Sequence, residues 1–367
     1  MLLVNSKQRN RKEVIIVHKI TVLAGDGIGP EIMKAGLSVL NVFKEKQLFN
    51  YDIQEELIGG SAIDVANHPL PQQTVEACLS ADAVLLGAIG GPKWDDSPVR
   101  PEQGLLSLRK QMTLYANIRP TKVDDGLVQL SPIKEEKIKG TDFIIVRELT
   151  GGIYFGEPRE LQPEKAIDTC VYTRDEITKI MTAAFEIAMT RRKKLTSVDK
   201  SNVLATSKLW REVAIEVSQN YPEVTLEHQL VDSCAMVMIT KPTSFDVIVT
   251  ENMFGDILSD EASVLTGSLG VLASASLSDT GKHLFEPIHG SAPDIAGKNI
   301  ANPLSMIYSV SMMLRESFKE YQLADYIDQA ASNVTKRGIT TADLGGTFST
   351  TEVTDKIKEE LEQIIGG

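Results

Sequence analysis

The stretch from Phe245 to Ser263, FDVIVTENMFGDILSDEAS, leaves room for little besides a strand running straight into a helix. Residues 245–249 form a short apolar run suited to a buried strand. Thr250, Glu251 and Asn252 break it, and a helical pattern follows. Asp256 and Asp260 stand four residues apart, which puts both carboxylates on one helix face. Ile257, Leu258, Val264 and Leu265 are expected on the opposite side. Two stacked carboxylates repel, and a cation between them relieves the repulsion. Hard oxygen ligands at a strand–loop–helix junction suit Mg²⁺ or Mn²⁺. A solvated acidic helix face is the other reading and the commoner one for a lone D-x-x-x-D, so other parts of the chain are needed to overturn it.

Strand-like and helix-like segments alternate along the rest of the chain. Residues 14–23 read as the first strand, followed by Gly25-Asp-Gly-Ile-Gly-Pro30 and a helix from Glu31 with Ile32, Leu37, Leu40 and Phe43 for the core. The glycine pattern is G-x-G-x-G-P, and no strand ending in an acidic residue lies about 20 residues on, so a Rossmann phosphate loop is not indicated. A tight strand-to-helix turn is. Residues 83–86 form a second buried strand that runs into a Gly/Pro loop, 87–94. A helix over 102–112 carries Arg109 near its end. A strand over 115–120 carries Arg119, expected to point outward. Residues 131–140 read as a charged connection, and 143–146 as a strand leading to Arg147 and to Tyr154 in a Gly-flanked turn. An amphipathic helix spans 177–188, a strand over 195–200 ends on Lys200, a helix spans 207–218, and a strand over 226–231 leads to Asp232. Residues 286–302 mix Gly, Pro, His289 and Asn302 without a hydrophobic period, as a loop offering amides to a phosphate does. Two C-terminal helices are expected, over 304–318 and 352–365.

At 367 residues the chain suits two domains or one large α/β unit. Its formal net charge of −12 argues against nucleic acid or an anionic membrane as partner. An anionic substrate then requires local arginines, and Arg109, Arg119 and Arg147 each sit at the end of an expected element. Guanidinium forks pair bidentately with carboxylates, so the three can grip a substrate bearing two; three unrelated surface salt bridges are the alternative. Cys78, Cys170 and Cys234 are odd in number and widely spaced, which indicates neither a disulfide framework nor a zinc site and fits a reducing cytoplasm. No apolar run approaches the roughly 18 residues of a membrane span. The start, MLLVNSKQRNRKEV, has its basic residues after a tiny apolar run, the wrong order for a secretory signal.

The motifs GDGIGPEI, GAIGGPKW, GLLSLRK, YANIRP, VRELTGGIYFG, VDKSNVL, NMFGDILSDEAS and EPIHGSAPDIAGK occur in that order from about Thr21 to Gly346. Together they resemble the decarboxylating β-hydroxyacid dehydrogenases of the isocitrate/isopropylmalate dehydrogenase family. The resemblance implies two α/β domains sharing a large mixed sheet, not a Rossmann fold. Residues 1–114 and 267–367 would form the first domain, and 115–266 the second, with an arm that interlocks two subunits of a homodimer. Arg109, Arg119 and Arg147 resemble the substrate-carboxylate binders, and Asp256 and Asp260, with Asp232 of the partner subunit, the Mg²⁺/Mn²⁺ ligands. Tyr154 and the partner's Lys200 resemble the acid–base pair. Leu105, Leu106 and the partner's Val203 would wall off a branched alkyl group. Gly91 to Glu102, Glu286, His289 and the run Gly290, Ser291, Ala292, Pro293, Asp294, Ile295 to Asn302 match the NAD loops, and Asp294 would favour NAD⁺ over NADP⁺.

The implied reaction is NAD-dependent oxidative decarboxylation of 3-isopropylmalate to 4-methyl-2-oxopentanoate and CO₂, in leucine biosynthesis. Rivals are isocitrate, homoisocitrate or tartrate as substrate, or a non-catalytic binder that keeps the fold. A lysine with a pKa of about 10.4 is protonated at neutral pH, so a basic Lys200 requires burial or neighbouring cations.

Overall fold

The computed structural model describes residues 17–123, 126 and 128–367. Part of the expected first strand lies outside them; its described part is β1, His18–Gly25. The other strands are β2 Tyr51–Glu55, β3 Ala83–Ala88, β4 Leu114–Lys122, β5 Asp142–Glu148, β6 Gly156–Leu161 and β7 Ala166–Thr169, then β8 Lys194–Asp199, β9 Thr225–Leu230, β10 Val247–Thr250, β11 Ala273–Ser278 and β12 His283–Pro287. Ten of them form one sheet in the order β2-β1-β3-β12-β11-β4-β5-β10-β8-β9. The flanks, β2-β1-β3-β12 and β5-β10-β8-β9, are parallel. The central pairs β12–β11, β11–β4 and β4–β5 are antiparallel. The expected large mixed sheet is therefore two parallel α/β blocks welded through an antiparallel seam. β6 and β7 make a separate antiparallel ribbon whose residues are mostly exposed, Leu161 to 90%.

Parallel strands covered on both faces read as continuous apolar runs, and AVLLGA of β3 and VIVT of β10 are buried at every position. The two faces of the β5-β10-β8 block belong to different cores. On one face Ile145, Val198 and Ile248 pack with Leu258, Ala262 and Leu265 of the Asn252–Thr266 helix and Met238 of the Val231–Thr240 helix. On the other, Val146, Leu195, Val247 and Val249 pack with the helices Arg174–Met189 and Ala205–Ser218. The first of those helices opens on a reciprocal cap between Thr173 and Glu176.

Several expectations change. The strand ending near Asp232 stops at Leu230, and Asp232 sits in the first turn of the Val231–Thr240 helix, where a carboxylate complements the helix dipole. The C-terminal region has three helices, Leu304–Glu316, Tyr321–Lys336 and Thr350–Gly366, rather than two. The charged connection at 131–140 contains a helical turn, Glu135–Ile138. In the Asn252–Thr266 helix Leu258 and Leu265 face the core as expected, but Ile257 is 59% exposed and Val264 is exposed too. This helix has two apolar stripes, of which the sheet covers one.

Candidate active site

The antiparallel seam brings the arginines together. Asn117 of β4 pairs with Arg147 of β5, so Asn117, Arg119 and Arg147 share a face of the sheet. Arg119 lies in the interior of β4 and is buried, a correction to the outward orientation and strand-end position expected for it. The Asn252–Thr266 helix roofs that face. Arg119 Nε–H donates to Asn117 Oδ1 (2.6 Å) and Arg119 Nη1 to Ser259 Oγ (2.5 Å) on the roof. Gly255 permits the roof's close approach: a Cβ there would stand 2.7 Å from Arg147 Cγ. Asn252, in the first turn of the roof, accepts from Arg147 Nε (3.0 Å).

The roof carries the two carboxylates. Asp256 Oδ1 accepts from Arg147 Nη1 and lies 3.7 Å from Arg119 Nη2; Asp260 Oδ1 lies 3.5 Å from Arg119 Nη1. Tyr154, from the turn after β5, donates its hydroxyl to Asp256 Oδ2 (3.2 Å). Arg109, near the end of the Pro101–Gln111 helix, pairs with Glu286 of β12 at 2.9 Å, and its Nε is buried without a partner. Leu105 is half-buried and Leu106 exposed, one turn before Arg109 on the same helix.

Charge is what distinguishes this cluster. The three arginine side chains are only 6–14% exposed. Burial pulls the Arg119 guanidinium down to about 10, with Arg147 acting in the same sense and Asp256 against it. Burial likewise lowers Arg147, and Arg109 adds to the effect. Burial raises the Asp260 carboxyl, Arg119 opposes, and Asp256 raises it further. Burial, then Asp256, also lifts the Tyr154 phenol above its usual range. Arg109, Arg119 and Arg147 face Glu286, Asp256 and Asp260, so formal charges cancel. A divalent cation on the two aspartates would leave an excess matched by a dianion. Asp256 and Asp260 offer hard oxygens at one mouth, and the Asp260 side chain is 67% exposed, which suits an Mg²⁺- or Mn²⁺-like ion. Among the described residues of one chain no third carboxylate, histidine or cysteine joins them.

Lys200 and Asp232 form a second, separate cluster. Lys200 follows β8 directly and donates to Asp232 Oδ1 at 2.5 Å, which holds the Asp232 carboxyl below its ordinary range. Among the described residues neither is bonded to Tyr154, Asp256 or Asp260 of its own chain. Val203 is strongly exposed beside Lys200.

The loops expected to take a dinucleotide flank the first parallel block. Gly91 ends the Gly-rich loop after β3, and Glu102 opens the Pro101–Gln111 helix, paired with Arg100 at 3.9 Å. After β12, His289 turns Nδ1 to the Gly290 carbonyl (2.8 Å) and leaves Nε2 buried without a partner. Ser291 and Asn302 are buried; Ala292, Pro293 and Asp294 are exposed and Ile295 half-buried. An orphaned ring nitrogen beside exposed loop amides fits an aromatic, polar ligand such as a nucleotide. Asn252, Ser259 and Asn117, which hold the arginines in place, escape sequence reasoning: only the packing of the roof helix on the β4–β5 seam brings them together.

The family model for isocitrate/isopropylmalate dehydrogenase matches residues 19–357. The chain belongs to that family. It is 62% identical over 343 residues to the 3-isopropylmalate dehydrogenase of Streptococcus thermophilus (strain CNRZ 1066), covering 94% of this chain and 99% of the relative. It is 59% identical over 352 residues to that of Listeria monocytogenes serotype 4b (strain F2365), covering 96% and 100%. Among solved family structures, isocitrate dehydrogenase from Methylococcus capsulatus superposes with a TM-score of 0.85 at 34% identity, over 95% of this chain and 100% of that one. The apo β-decarboxylating dehydrogenase of Thermococcus kodakarensis does so with a TM-score of 0.80 at 34% identity, over 95% and 98%. The mixed sheet with an antiparallel seam is thus the family's architecture, and no helix among the described residues is long and apolar enough to cross a membrane.

Proposed function

We propose that the chain oxidises (2R,3S)-3-isopropylmalate with NAD⁺ and releases CO₂, giving 4-methyl-2-oxopentanoate for leucine biosynthesis in the cytoplasm. The observation that carries this reading is the buried trio Arg109, Arg119 and Arg147 facing Asp256 and Asp260, with the aliphatic pair Leu105 and Leu106 a turn away. The guanidiniums bind the two carboxylates, and the leucines, with the partner's Val203, pack the branched alkyl group. A third carboxylate, as in isocitrate, would be desolvated against those leucines at a cost. The relatives at 57–62% identity carry the isopropylmalate name, which supports the same choice.

Asp256 and Asp260, with the partner's Asp232, would hold the divalent ion, and Glu286, His289, Asp294 and Asn302 with their loops would hold NAD⁺. When bound, NAD⁺ supplies the hydride acceptor and the ion supplies Lewis-acid polarisation of the C2 oxygen. The partner's Lys200, released from Asp232 when that carboxylate turns to the ion and set beside the arginine trio, takes the hydroxyl proton as hydride leaves C2. The bond from C3 to its carboxyl then breaks, and Tyr154, kept protonated by its raised pKa, delivers a proton to C3. Residues 1–114 with 267–367, and 115–266, act as two domains that close on the substrate.

The separation of Lys200 and Asp232 from Tyr154 within one chain supports a homodimer with shared sites. Exposed Ile257 and Val264 of the roof, and Met236 of the helix beside it, supply an apolar face for the second copy, and the β6–β7 ribbon supplies the arm. The test has two parts. NADH formation from racemic 3-isopropylmalate should require Mg²⁺ or Mn²⁺ and stop with EDTA; faster turnover of isocitrate would replace the substrate, and NAD⁺ binding without turnover would remove the enzyme. Lys200→Met and Tyr154→Phe, each inactive alone, should regain roughly a quarter of wild-type activity when refolded together, because each mixed dimer holds one intact site. No recovery would rule out sharing.

A further inference from the structure

We infer that Asp26 is a positioning residue for the dinucleotide, fastening the Gly-rich loop after β3 to the turn between β1 and the Gly29–Glu45 helix, a turn that also holds the second cofactor loop. The inference rests on the reading above, in which those loops take NAD⁺. Asp26 is 4% exposed and is not needed by any step of the chemistry. Its Oδ2 accepts from the backbone N–H groups of Gly60 (2.8 Å) and Gly90 (2.8 Å), and its Oδ1 from Ser61 N–H (2.7 Å). Its own N–H donates to the Ala88 carbonyl at 2.7 Å. One carboxylate thus ties the start of the Gly60–Ala66 helix to the Gly-rich loop that follows β3.

The same turn reaches the second loop from its other side. Ile28 N–H donates to the Ser291 carbonyl at 2.8 Å, and Gly297 N–H donates to Glu31 Oε2 at 3.0 Å. Gly27 has φ +57°, and a Cβ there would stand 2.0 Å from Ser291 O, so the two backbones touch. Loops that lie far apart in sequence, one after β3 and one after β12, are therefore set against each other through residues 26–31.

A buried carboxylate is a costly way to close a turn unless its charge does something an apolar side chain cannot. No Lys or Arg contacts Asp26 among the described residues; three backbone amides are its donors. Charge-assisted bonds to N–H groups are short and directional, so they fix the orientation of the peptide units that make them. Asparagine has nearly the same shape but only one acceptor oxygen, and its amide hydrogens would oppose one of the bound N–H groups.

Asp26→Asn should raise the Kd for NADH and the KM for NAD⁺ roughly tenfold or more, while the KM for the hydroxy acid moves less than about twofold. Ile180→Val serves as a fold control, since it removes a buried methyl group from the Arg174–Met189 helix that packs on the other parallel block, away from either loop; it should lower Tm and leave NADH affinity unchanged. An Asp26→Asn protein with lowered Tm and wild-type NADH affinity would overturn the inference. Amide hydrogen exchange in the wild-type protein covers the case in which that variant does not fold. Binding that selects the fastened loops must slow opening at Gly60, Ser61 and Gly90. Unchanged exchange there on saturation with NADH would equally overturn it. A wild-type chain that binds no NADH at all removes the parent reading instead, and does so before any variant is made.

Discussion

Acidic groups lie on both faces of the sheet near the ends of β5, β10 and β8, and the two faces treat them differently. On the front, Asp256 and Asp260 project from the helical roof, open to solvent and matched by guanidinium groups from separate elements. On the back, Glu148, Glu251 and Asp199 fall side by side: Thr250 is in register with Arg147 and Val198, so the next residue in each strand aligns as well. All three are buried. Glu148 accepts from the Thr150 backbone and hydroxyl and from Gly151 N–H (2.9 Å); Asp199 accepts from Arg211 (2.9 and 3.0 Å) and Ser201 N–H (2.8 Å). Among the described residues Glu251 has neither kind of partner, and burial, then Asp199 and Glu148, pushes it up to about 7. Front-face charges are paired in a way a ligand can exchange. Back-face charges are locked, and the unmatched one is relieved by a proton.

The largest effect should come from disturbing the exchangeable side. Arg147 uses separate nitrogens of one planar fork, Nε to Asn252 and Nη1 to Asp256. Lysine keeps the charge but cannot reproduce the fork, so Arg147→Lys should lower kcat/KM for the hydroxy acid by roughly 10²–10³-fold, mostly through KM. Steady-state kinetics at saturating NAD⁺ checks this. A lysine variant within about threefold of wild type would mean that charge alone, without geometry, suffices on the front.

The sequence makes some of this legible and hides the rest for identifiable reasons. Strands buried on both faces announce themselves, as AVLLGA of β3 and VIVT of β10 do, because no position is left for a polar residue. The Val231–Thr240 helix is hidden by the same chemistry: VDSCAMVMIT is apolar nearly all round, so it has no 3.6-residue period to set it apart from a strand. β11, ASASLS, is half serine yet almost wholly buried, because it lies mid-sheet between β12 and β4. The Tyr321–Lys336 helix did carry its signal, with Leu323, Ala324, Ile327, Ala330, Ala331 and Val334 spaced for one face. Asp256 and Asp260 could be paired from their spacing, since four residues in a helix is a local relation. That Arg119 points inward could not, because the helix that roofs it lies well over a hundred positions further along the chain.

On the locked side the expected effect is on stability alone. A Glu whose folded pKa is raised from 4.5 to about 7 holds its proton in the native state over a range where the unfolded chain has lost it. Stability therefore falls as pH rises from about 4.5 to 7, and the full penalty is present above 7. Glu251→Gln removes that penalty. It should raise stability by about 1–3 kcal/mol at pH 8, much less at pH 5, with kcat and KM unchanged. Urea unfolding at the two pH values decides it. Equal stabilisation at both would mean that Glu251 is already matched, and the contrast between the faces would weaken.

The smallest change tests whether the faces are independent at all. Tyr172 packs in the back-face core, edge-on to Trp210, yet its hydroxyl accepts from the backbone N–H of Asn252 at 2.9 Å. Burial, then Glu148, raises its phenol far above the usual range, so it stays a neutral hydroxyl. Asn252 in turn holds Arg147 through Oδ1 and reaches the Gly151 carbonyl (3.4 Å), the root of the turn that carries Tyr154. One residue from the locked side thus sets the N-terminus of the roof. Tyr172→Phe keeps the ring packing and strips the acceptor from a buried N–H, a loss of about 1–2 kcal/mol. If that loss is confined to the back, Tm falls and kinetics stay put. The chain of contacts through Asn252 predicts more: kcat/KM for the hydroxy acid should also fall, roughly three- to tenfold, while NADH affinity, which the proposed function assigns to loops of the other parallel block, should not move. A variant with lower Tm and unaltered kinetics would leave the sheet as an insulator between two sets of charges.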